Sequence, residues 1–223
     1  MKPTCILLLD TNEHFANAAE DFCRTLFAVK QVVRSSRGSI LPELDGADYL
    51  FNFLSCQKVP KKALDSVKMA INFHTAPPEF PGRGSASYAL FNALNGGKWE
   101  YGVTAHFMEE TFDSGKILKA IRFPIMKDDY CDTLFERALN YTLLLFYDVL
   151  NGVATKNLRF LDEKWARKAT TRKEFEKWMI LNMNDSEDIN YKKIRALQHN
   201  KFPGPYIEIF GERFFLSPRI KEK

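Results

Sequence analysis

The chain has 223 residues, of which 32 are Lys or Arg and 28 are Asp or Glu, so its formal net charge is +4. A hydrophobic fraction of 45% and a charged fraction of 27% are ordinary for a folded globular protein and exclude a disordered, collagen-like or coiled-coil chain. Because acids are interspersed among the bases up to a basic tail of Arg219, Lys221 and Lys223, nucleic acid is not an expected partner.

Membrane insertion and metal chemistry are not expected either. Apolar runs stay well short of the roughly 20 residues that span a bilayer, and the N-terminal run ends at Asp10, so we predict a cytoplasmic protein without a membrane span. The four cysteines form no CxxC pair, which leaves neither a zinc motif nor a dithiol redox pair. We therefore expect no metal.

Short apolar runs alternate with helical patterns in the first third of the chain. These patterns predict strands over 4–9, 29–33, 49–54 and 70–73 and a helix over 12–26. Strands that alternate with helices indicate a parallel sheet, and such sheets bind ligands beyond the carboxyl ends of their strands. The residues just after Leu54 and Ile71 are therefore where we expect the chemistry.

The rest of the chain adds antiparallel-type strands, a long helix and a C-terminal pair of elements. We predict strands over 102–108 and 116–124, helices over 133–150 and 191–198, and a hairpin over 205–216 about Gly211. The composition turns polar and basic after the long helix. The prediction is an α/β domain with a mostly parallel sheet over residues 1–155 and a short helical and β-hairpin appendage over residues 156–223.

Polar side chains gather at the end of the strand 70–73, in the segment INFHTAPPEFPGRG. Asn72 and His74 are two residues apart, so they lie on the same side of an extended strand. The prolines and glycines that follow predict a rigid loop that lets backbone approach a ligand closely. Asp113, in a later glycine turn, could reach back over the sheet. Together these groups supply a donor, a base and a proton acceptor, although a lone His near a strand end is more often structural.

The segment NFHTAPPEFPGRG, followed by YGVTAHFMEETFDSGKI, resembles the folate-dependent formyltransferase family in its Asn-x-His loop, its Gly-Val-Thr-x-His strand and its Asp-x-Gly turn. The resemblance extends over residues 48–124. It implies a Rossmann-like fold, 10-formyltetrahydrofolate as co-substrate, and catalytic roles for Asn72, His74 and Asp113. His106 belongs to the matching strand, where we predict a buried structural residue.

The resemblance also implies binding residues. The pterin of the folate would lie against Leu54, Ser55, Cys56, Gln57, Glu110 and Phe112. The formyl acceptor would lie against Pro78, Gly82, Arg83 and Gly84, with Arg195 and Lys201 suited to a diphosphate. For Arg83, solvent exposure without a ligand is an equally good interpretation.

The form of the loop distinguishes among the acceptors of the family. From His74 to Gly82 it reads His-x-x-Pro-Pro-x-aromatic-Pro-Gly, which resembles the sugar N-formyltransferases. The resemblance implies the amine of a nucleotide-linked amino-deoxy sugar, such as dTDP-4-amino-4,6-dideoxyglucose. The loop after the first strand lacks the glycines of the purine branch, and the tRNA and deformylase branches need a further domain for which we expect this length to leave no room.

Three alternatives stay open at this point. They are transfer to an aminoacyl or other small amine, hydrolysis of formyltetrahydrofolate to formate, and a binding module without catalysis.

The predicted hairpin could form a homodimer contact, or it could cover the core of its own chain. Among the 19 phenylalanines, Phe80 and Phe112 are expected to border the ligand cleft, and Phe51, Phe53 and Phe73 are expected to pack beneath it.

Overall fold

The computed structural model describes residues 1–36, 38–44, 46–158 and 160–217, and the basic tail of Arg219, Lys221 and Lys223 lies outside them. The strands are β1 (Thr4–Leu9), β2 (Ala28–Arg34), β3 (Tyr49–Phe53), β4 (Met69–His74), β5 (Glu100–Phe107), β6 (Ile117–Pro124), β7 (Tyr206–Ile209) and β8 (Glu212–Phe215). The helices are α1 (Glu13–Leu26), α2 (Lys61–Asp65), α3 (Ser85–Leu94), α4 (Cys131–Ala154), α5 (Arg172–Trp178) and α6 (Glu187–Leu197).

The first six strands form one sheet in the order β2-β1-β3-β4-β5-β6. The neighbours from β2 to β4 run parallel, whereas β5 and β6 are paired antiparallel. The predicted mostly parallel sheet with a C-terminal helix and hairpin is confirmed. Strands β1 and β3 lie inside the sheet and are buried on both faces, which is why their sequences are continuous apolar runs rather than alternating ones.

The two faces of the sheet differ. Phe51, Phe53 and Phe73 are buried on the face that packs against α1, α3 and α4, where the rings of Phe53 and Phe73 meet Phe146 of α4 edge-on at 5.0 and 4.8 Å. The opposite face is apolar around Leu50 and becomes polar toward the carboxyl ends of β3 and β4. That polar end holds the candidate site.

Helices α3 and α5 are not predicted by the sequence patterns. Helix α3 consists mainly of small and apolar residues that are buried on several sides, so it has no pronounced amphipathic stripe. Helix α5 has only seven residues within a polar segment. Its one local signal is the capping box in which Thr171 and Glu174 bond each other's backbone N–H groups.

The C-terminal region packs on the sheet domain through α6, which contacts α3 and α4. Strands β7 and β8 form the predicted hairpin, and the side chains of Phe210 and Phe214 are largely exposed on it. The domain boundary at residue 155 and the homodimer contact stay predictions. Within the described ranges, no helix is long and apolar enough to cross a membrane.

Candidate active site

Asn72 and His74 lie on the polar end of the sheet face because both occupy even positions of β4. Residues 108–116, between β5 and β6, fold back over this face and bring Asp113 to them. The Nε2 atom of His74 is 3.5 Å from Oδ2 of Asp113, and both side chains are nearly buried, with 14% and 8% exposure. The structure thus brings Asp113 together with Asn72 and His74, from which it is about 40 residues distant in the sequence, and these are the three residues predicted to be catalytic.

His106 joins this cluster from β5. It is paired with Asn72 across the strands, and Nδ2 of Asn72 is 2.9 Å from its Nε2 atom. Its Nδ1 atom is 2.7 Å from the backbone carbonyl O of Phe107, which can only accept a hydrogen bond. A neutral His106 therefore carries its proton on Nδ1 and accepts from Asn72 through Nε2, which fixes the orientation of the Asn72 amide. The residue is buried, as predicted, and it also holds Asn72.

Asp113 is held by the rigid loop that the prolines predict. The backbone N–H of Gly82 donates to Oδ2 of Asp113 at 2.8 Å, and Oδ1 lies 3.4 Å from Nε2 of His106. Asp113 also has a left-handed φ of +47°, which is uncommon outside glycine and is often found at functional sites. Burial by itself raises the pKa of Asp113, but the protonated forms of His74 and His106 together with the Gly82 amide outweigh it and hold that pKa well below its ordinary value.

His74 is biased toward the neutral form. Burial lowers its pKa because the imidazolium loses solvation, and the carboxylate of Asp113 opposes this effect without cancelling it. Its Nε2 atom is buried and has no hydrogen-bond partner among the described residues. A neutral imidazole next to a carboxylate is suited to take up a proton at that nitrogen.

An irregular segment from the C-terminal region covers this cluster. The indole N–H of Trp165 donates to the carbonyl O of Gly115 at 2.8 Å, and its ring meets His106 and His74 edge-on at 5.0 and 6.1 Å. Five residues on, Thr170 donates to the carbonyl O of Pro81 and accepts from the N–H of Arg83. Nothing in the sequence predicts this contact, because a single Trp in a polar stretch belongs to no pattern that indicates what it packs against.

A cleft adjoins the cluster between β3 and residues 108–113. The residues that line it are Asn52, Gln57, Lys58, Val59, Asn72, His106, Met108, Glu109, Glu110, Thr111, Phe112 and Asp113. Of the predicted folate contacts, Gln57, Glu110 and Phe112 are therefore at the cleft. Leu54, Ser55 and Cys56 form the turn that precedes Gln57, and Leu54 adopts a left-handed φ of +65° there.

The predicted acceptor contacts fall in two places. Pro78, Gly82, Arg83 and Gly84 lie in the loop beside Asp113, where Pro78 is buried and Arg83 is exposed. Arg195 and Lys201 lie instead near the start of α4. The guanidinium of Arg195 donates to the carbonyl O atoms of Asp129 and Lys127. The backbone N–H of Lys201 donates to His199, whose ring packs near Phe135 of α4. The structure does not bring these two residues to the cluster.

The site is therefore a buried amide, imidazole and carboxylate beside a cleft, on a sheet edge where α/β folds bind ligands. Over the ranges that the structure describes, no group of three His, Cys, Asp or Glu side chains is arranged to hold a metal ion. What the side chains offer is a hydrogen-bond donor and a proton acceptor held in fixed positions.

Comparison with known proteins identifies the class of this fold. A sugar N-formyltransferase from a Shewanella species superposes with a TM-score of 0.74 at 17% identity, covering 98% of this chain and 99% of that one. An N-formyltransferase from Helicobacter canadensis, solved with folinic acid and dTDP-3-aminofucose, superposes with a TM-score of 0.67 at 16% identity, covering 96% of this chain and 86% of that one. At such identities the likeness shows a formyltransferase fold.

The family follows from the sequence comparison. The family model described as formyl transferase matches residues 39–150, so the chain belongs to the formyl transferase family. A methionyl-tRNA formyltransferase from Streptococcus uberis is 27% identical over 159 residues, which are 71% of this chain and 49% of that protein. The chain thus spans about half the length of this curated relative.

Proposed function

We propose that the protein transfers a formyl group from 10-formyltetrahydrofolate to the amine of a nucleotide-linked amino sugar. The observation that carries the proposal is the buried cluster of Asn72, His74 and Asp113 beside a cleft, in a chain of the formyl transferase family. Resemblance assigns the chemistry to these three residues, and their geometry is compatible with it.

His74 acts on the incoming amine. Its buried, unpartnered Nε2 atom takes the proton that the amine loses as it attacks the formyl carbon. Asp113 orients the imidazole and stabilises its protonated form at 3.5 Å. Because burial keeps His74 neutral beforehand, it is ready to act as a base near neutral pH.

Asn72 acts on the oxygen of the formyl group. Its amide has two N–H donors, and the one directed at His106 fixes the direction of the other. That second donor stabilises the negative charge that develops on the oxygen as the amine attacks. Loss of one such donor typically lowers turnover by about 10²–10³. Collapse of the resulting adduct would break the bond between the formyl carbon and N10 of tetrahydrofolate, and protonated His74 would return its proton to that nitrogen.

The cleft residues fit a folate. The ring of Phe112 is exposed at the cleft and can stack on a flat heterocycle, while Gln57 and Glu110 line the same cleft and offer polar groups to its edge. When bound, 10-formyltetrahydrofolate supplies an activated one-carbon unit.

The choice of a sugar amine rests on two supports. The loop from His74 to Gly82 has the sugar-type form, and the structural neighbours over nearly the whole chain include a sugar N-formyltransferase and an N-formyltransferase solved with dTDP-3-aminofucose, next to a methionyl-tRNA formyltransferase from Clostridium thermocellum. The curated relatives, in contrast, are methionyl-tRNA formyltransferases. Methionyl-tRNA is therefore the second acceptor that the experiment has to include.

The test is a panel of acceptors incubated with the protein and 10-formyltetrahydrofolate. dTDP-linked and UDP-linked amino sugars with the amine at C3 or C4 are followed by mass spectrometry, and methionyl-tRNA by its blocked amine. We expect a gain of one formyl group on a nucleotide sugar and none with His74→Ala. Product on methionyl-tRNA alone would replace the proposed acceptor.

Absorbance of the folate without any acceptor separates the remaining alternatives. Release of tetrahydrofolate and formate in the absence of an amine would indicate a hydrolase. Folate binding with no turnover on any acceptor, unaffected by His74→Ala, would indicate a binding module.

A further inference from the structure

A row of polar side chains crosses the sheet on the face that holds the site. Strand pairing places Asn52 of β3 opposite Asn72 of β4, and Asn72 opposite His106 of β5. Directly paired residues point to the same face of a sheet, so Asn52 extends the row one strand beyond the proposed catalytic cluster. It is only 3% exposed, and it lines the cleft.

The orientation of the Asn52 amide is determined by its neighbour. Its Nδ2 atom is 3.1 Å from the backbone carbonyl O of Ser55, which can only accept. The nitrogen must therefore be on that side, and Oδ1 is the free end of the amide. This Oδ1 atom is buried and has no hydrogen-bond partner within the described parts of the chain.

A buried acceptor without a donor is uncommon in native proteins, and such atoms often mark a place where a ligand or an ion binds. The turn that follows β3 supports this interpretation, because Ser55 is itself held by a 2.9 Å bond to the buried hydroxyl of Ser35. Asn52 is thus fixed by its own turn, with its acceptor left unused in a cleft that Gln57 and Lys58 also line.

We propose that Oδ1 of Asn52 accepts a hydrogen bond from an N–H group of the folate ring and is a binding residue for that ring. This inference rests on the proposed function. The pterin ring of a reduced folate carries several N–H donors along its edge. The acceptor amine is expected at His74 instead, so the partner of Asn52 belongs to the co-substrate rather than to the sugar.

The test measures binding of folinic acid to the wild-type protein, to Asn52→Leu and to Asn52→Asp by isothermal titration calorimetry. Leu has the same number and branching of side-chain heavy atoms as Asn but no acceptor, so we expect the Kd to rise about tenfold or more. Asp loses the bond to Ser55 but keeps an acceptor oxygen, so we expect it to bind more tightly than the Leu variant. Equal loss in both variants would attribute the effect to the Ser55 bond and overturn the proposal.

Asn190→Leu is the matched control. Asn190 of α6 also donates through Nδ2 to a backbone carbonyl, that of Asn182 at 2.9 Å, and its Oδ1 atom is likewise buried without a partner in the described ranges. It does not line the cleft. We expect its Kd for folinic acid to equal that of the wild type, and a Kd raised as much as in Asn52→Leu would overturn the assignment.

A measurement on the unaltered protein covers the case in which the Asn52 variants do not fold. In protein labelled with ¹⁵N-asparagine, the side-chain amide signals of Asn52 are expected to shift on addition of folinic acid, because accepting a hydrogen bond polarises the amide. An unshifted Asn52 amide in protein that binds folinic acid overturns the inference alone. Failure of the wild type to bind folinic acid would overturn the proposed function as well.

Discussion

Two regions of the chain meet at the site, and they relate to their sequences in different ways. In β3, β4 and β5 side chains alternate along extended backbone, so spacing alone places Asn72 and His74 on one face. Residues 160–171 form no helix or strand, yet Trp165 contacts His74 and His106 from above. Strand alternation in the sequence thus predicts where the reacting groups lie. No local sequence pattern predicts that the irregular segment, distant in sequence, packs over them.

The largest expected effect is on the sheet side of this comparison. We expect Asn72→Ala and His74→Ala each to lower kcat by about 10²–10⁴, because each removes either an oxyanion donor or the general base. Formyl transfer measured under single-turnover conditions checks this. His14→Ala, a surface substitution on α1, is the control. Near wild-type turnover in either Asn72→Ala or His74→Ala would contradict the assignment.

The next effect concerns the contact between the two regions. Gly82 has a left-handed φ of +87°, and a Cβ atom there would overlap the backbone N and O of Thr170. We therefore expect Gly82→Ala to push the segment around Thr170 away, to disturb the N–H that holds Asp113, and to lower the free energy of unfolding by about 2 kcal/mol or more.

Gly96→Ala is the matched control for that substitution. Gly96 has a similar φ of +85°, but a Cβ atom there would have no neighbour within 4 Å among the described residues. It shares the backbone strain and lacks the collision. Urea denaturation and kcat/KM for both variants separate the two contributions, and equal losses in Gly82→Ala and Gly96→Ala would show that the contact with Thr170 is unimportant.

A smaller effect is expected from the covering side chain itself. Trp165→Ala removes the hydrogen bond to Gly115 and opens the face of His74 to water. We expect kcat/KM at neutral pH to fall about tenfold, the effect of about 1.4 kcal/mol. Burial is the main cause that lowers the pKa of His74, so that pKa should rise toward its ordinary value of 6.5.

The shift in the pKa of His74 should change the pH dependence of kcat/KM in a defined direction. A higher pKa of His74 leaves more of the base protonated in mild acid, so the acid limb of the kcat/KM profile should move to higher pH in Trp165→Ala. NMR titration of the His74 ring protons measures the same shift directly. Trp99→Ala, on the loop before β5, is the control, and an unchanged titration of His74 in Trp165→Ala would exclude the covering role.

Most of the fold can be predicted from the sequence because buried strands and amphipathic helices carry their periods locally. The antiparallel pairing of Asn72 with His106 does not follow from the strand patterns, because β4 and β5 are separated by α3 and no hairpin turn fixes their register. The return of Asp113 over the sheet depends on the path of residues 108–116, which the glycine turn permits without determining it and which the resemblance implies. The contact of Trp165 with the site depends on packing across the whole chain and had no signal.

Asn52 illustrates the same limit within a strand that is predicted correctly. In the sequence it is one polar residue in the apolar run YLFNF, and nothing local distinguishes a ligand contact from a side chain bonded to its own turn. The distinction comes from the bond between Nδ2 and Ser55, which leaves Oδ1 without a partner among the described residues. Which end of the amide is bonded and which is free depends on the folded structure around it and cannot be predicted from the strand sequence.

The smallest expected effect is that of Arg195, which lies in neither of the two regions that meet at the site. The resemblance assigns Arg195 to a diphosphate, whereas its guanidinium bonds the carbonyl O of Asp129 and lies over the ring of Tyr130 at 5.4 Å. We expect Arg195→Ala to leave the KM for the nucleotide sugar within about twofold and to lower the free energy of unfolding by about 1–2 kcal/mol, as for its two lost hydrogen bonds to backbone carbonyl groups, of which one is exposed.

The opposite result has a distinct signature. A guanidinium that binds diphosphate makes a charge-assisted contact, and its removal would raise KM by about tenfold or more with little change in stability. Arg83→Ala, in the loop beside Asp113, is the informative comparison, because its side chain is exposed next to the cluster. If Arg83→Ala raises KM and Arg195→Ala does not, the acceptor is bound by the loop of β4, and the start of α4 is joined to α6 for stability alone.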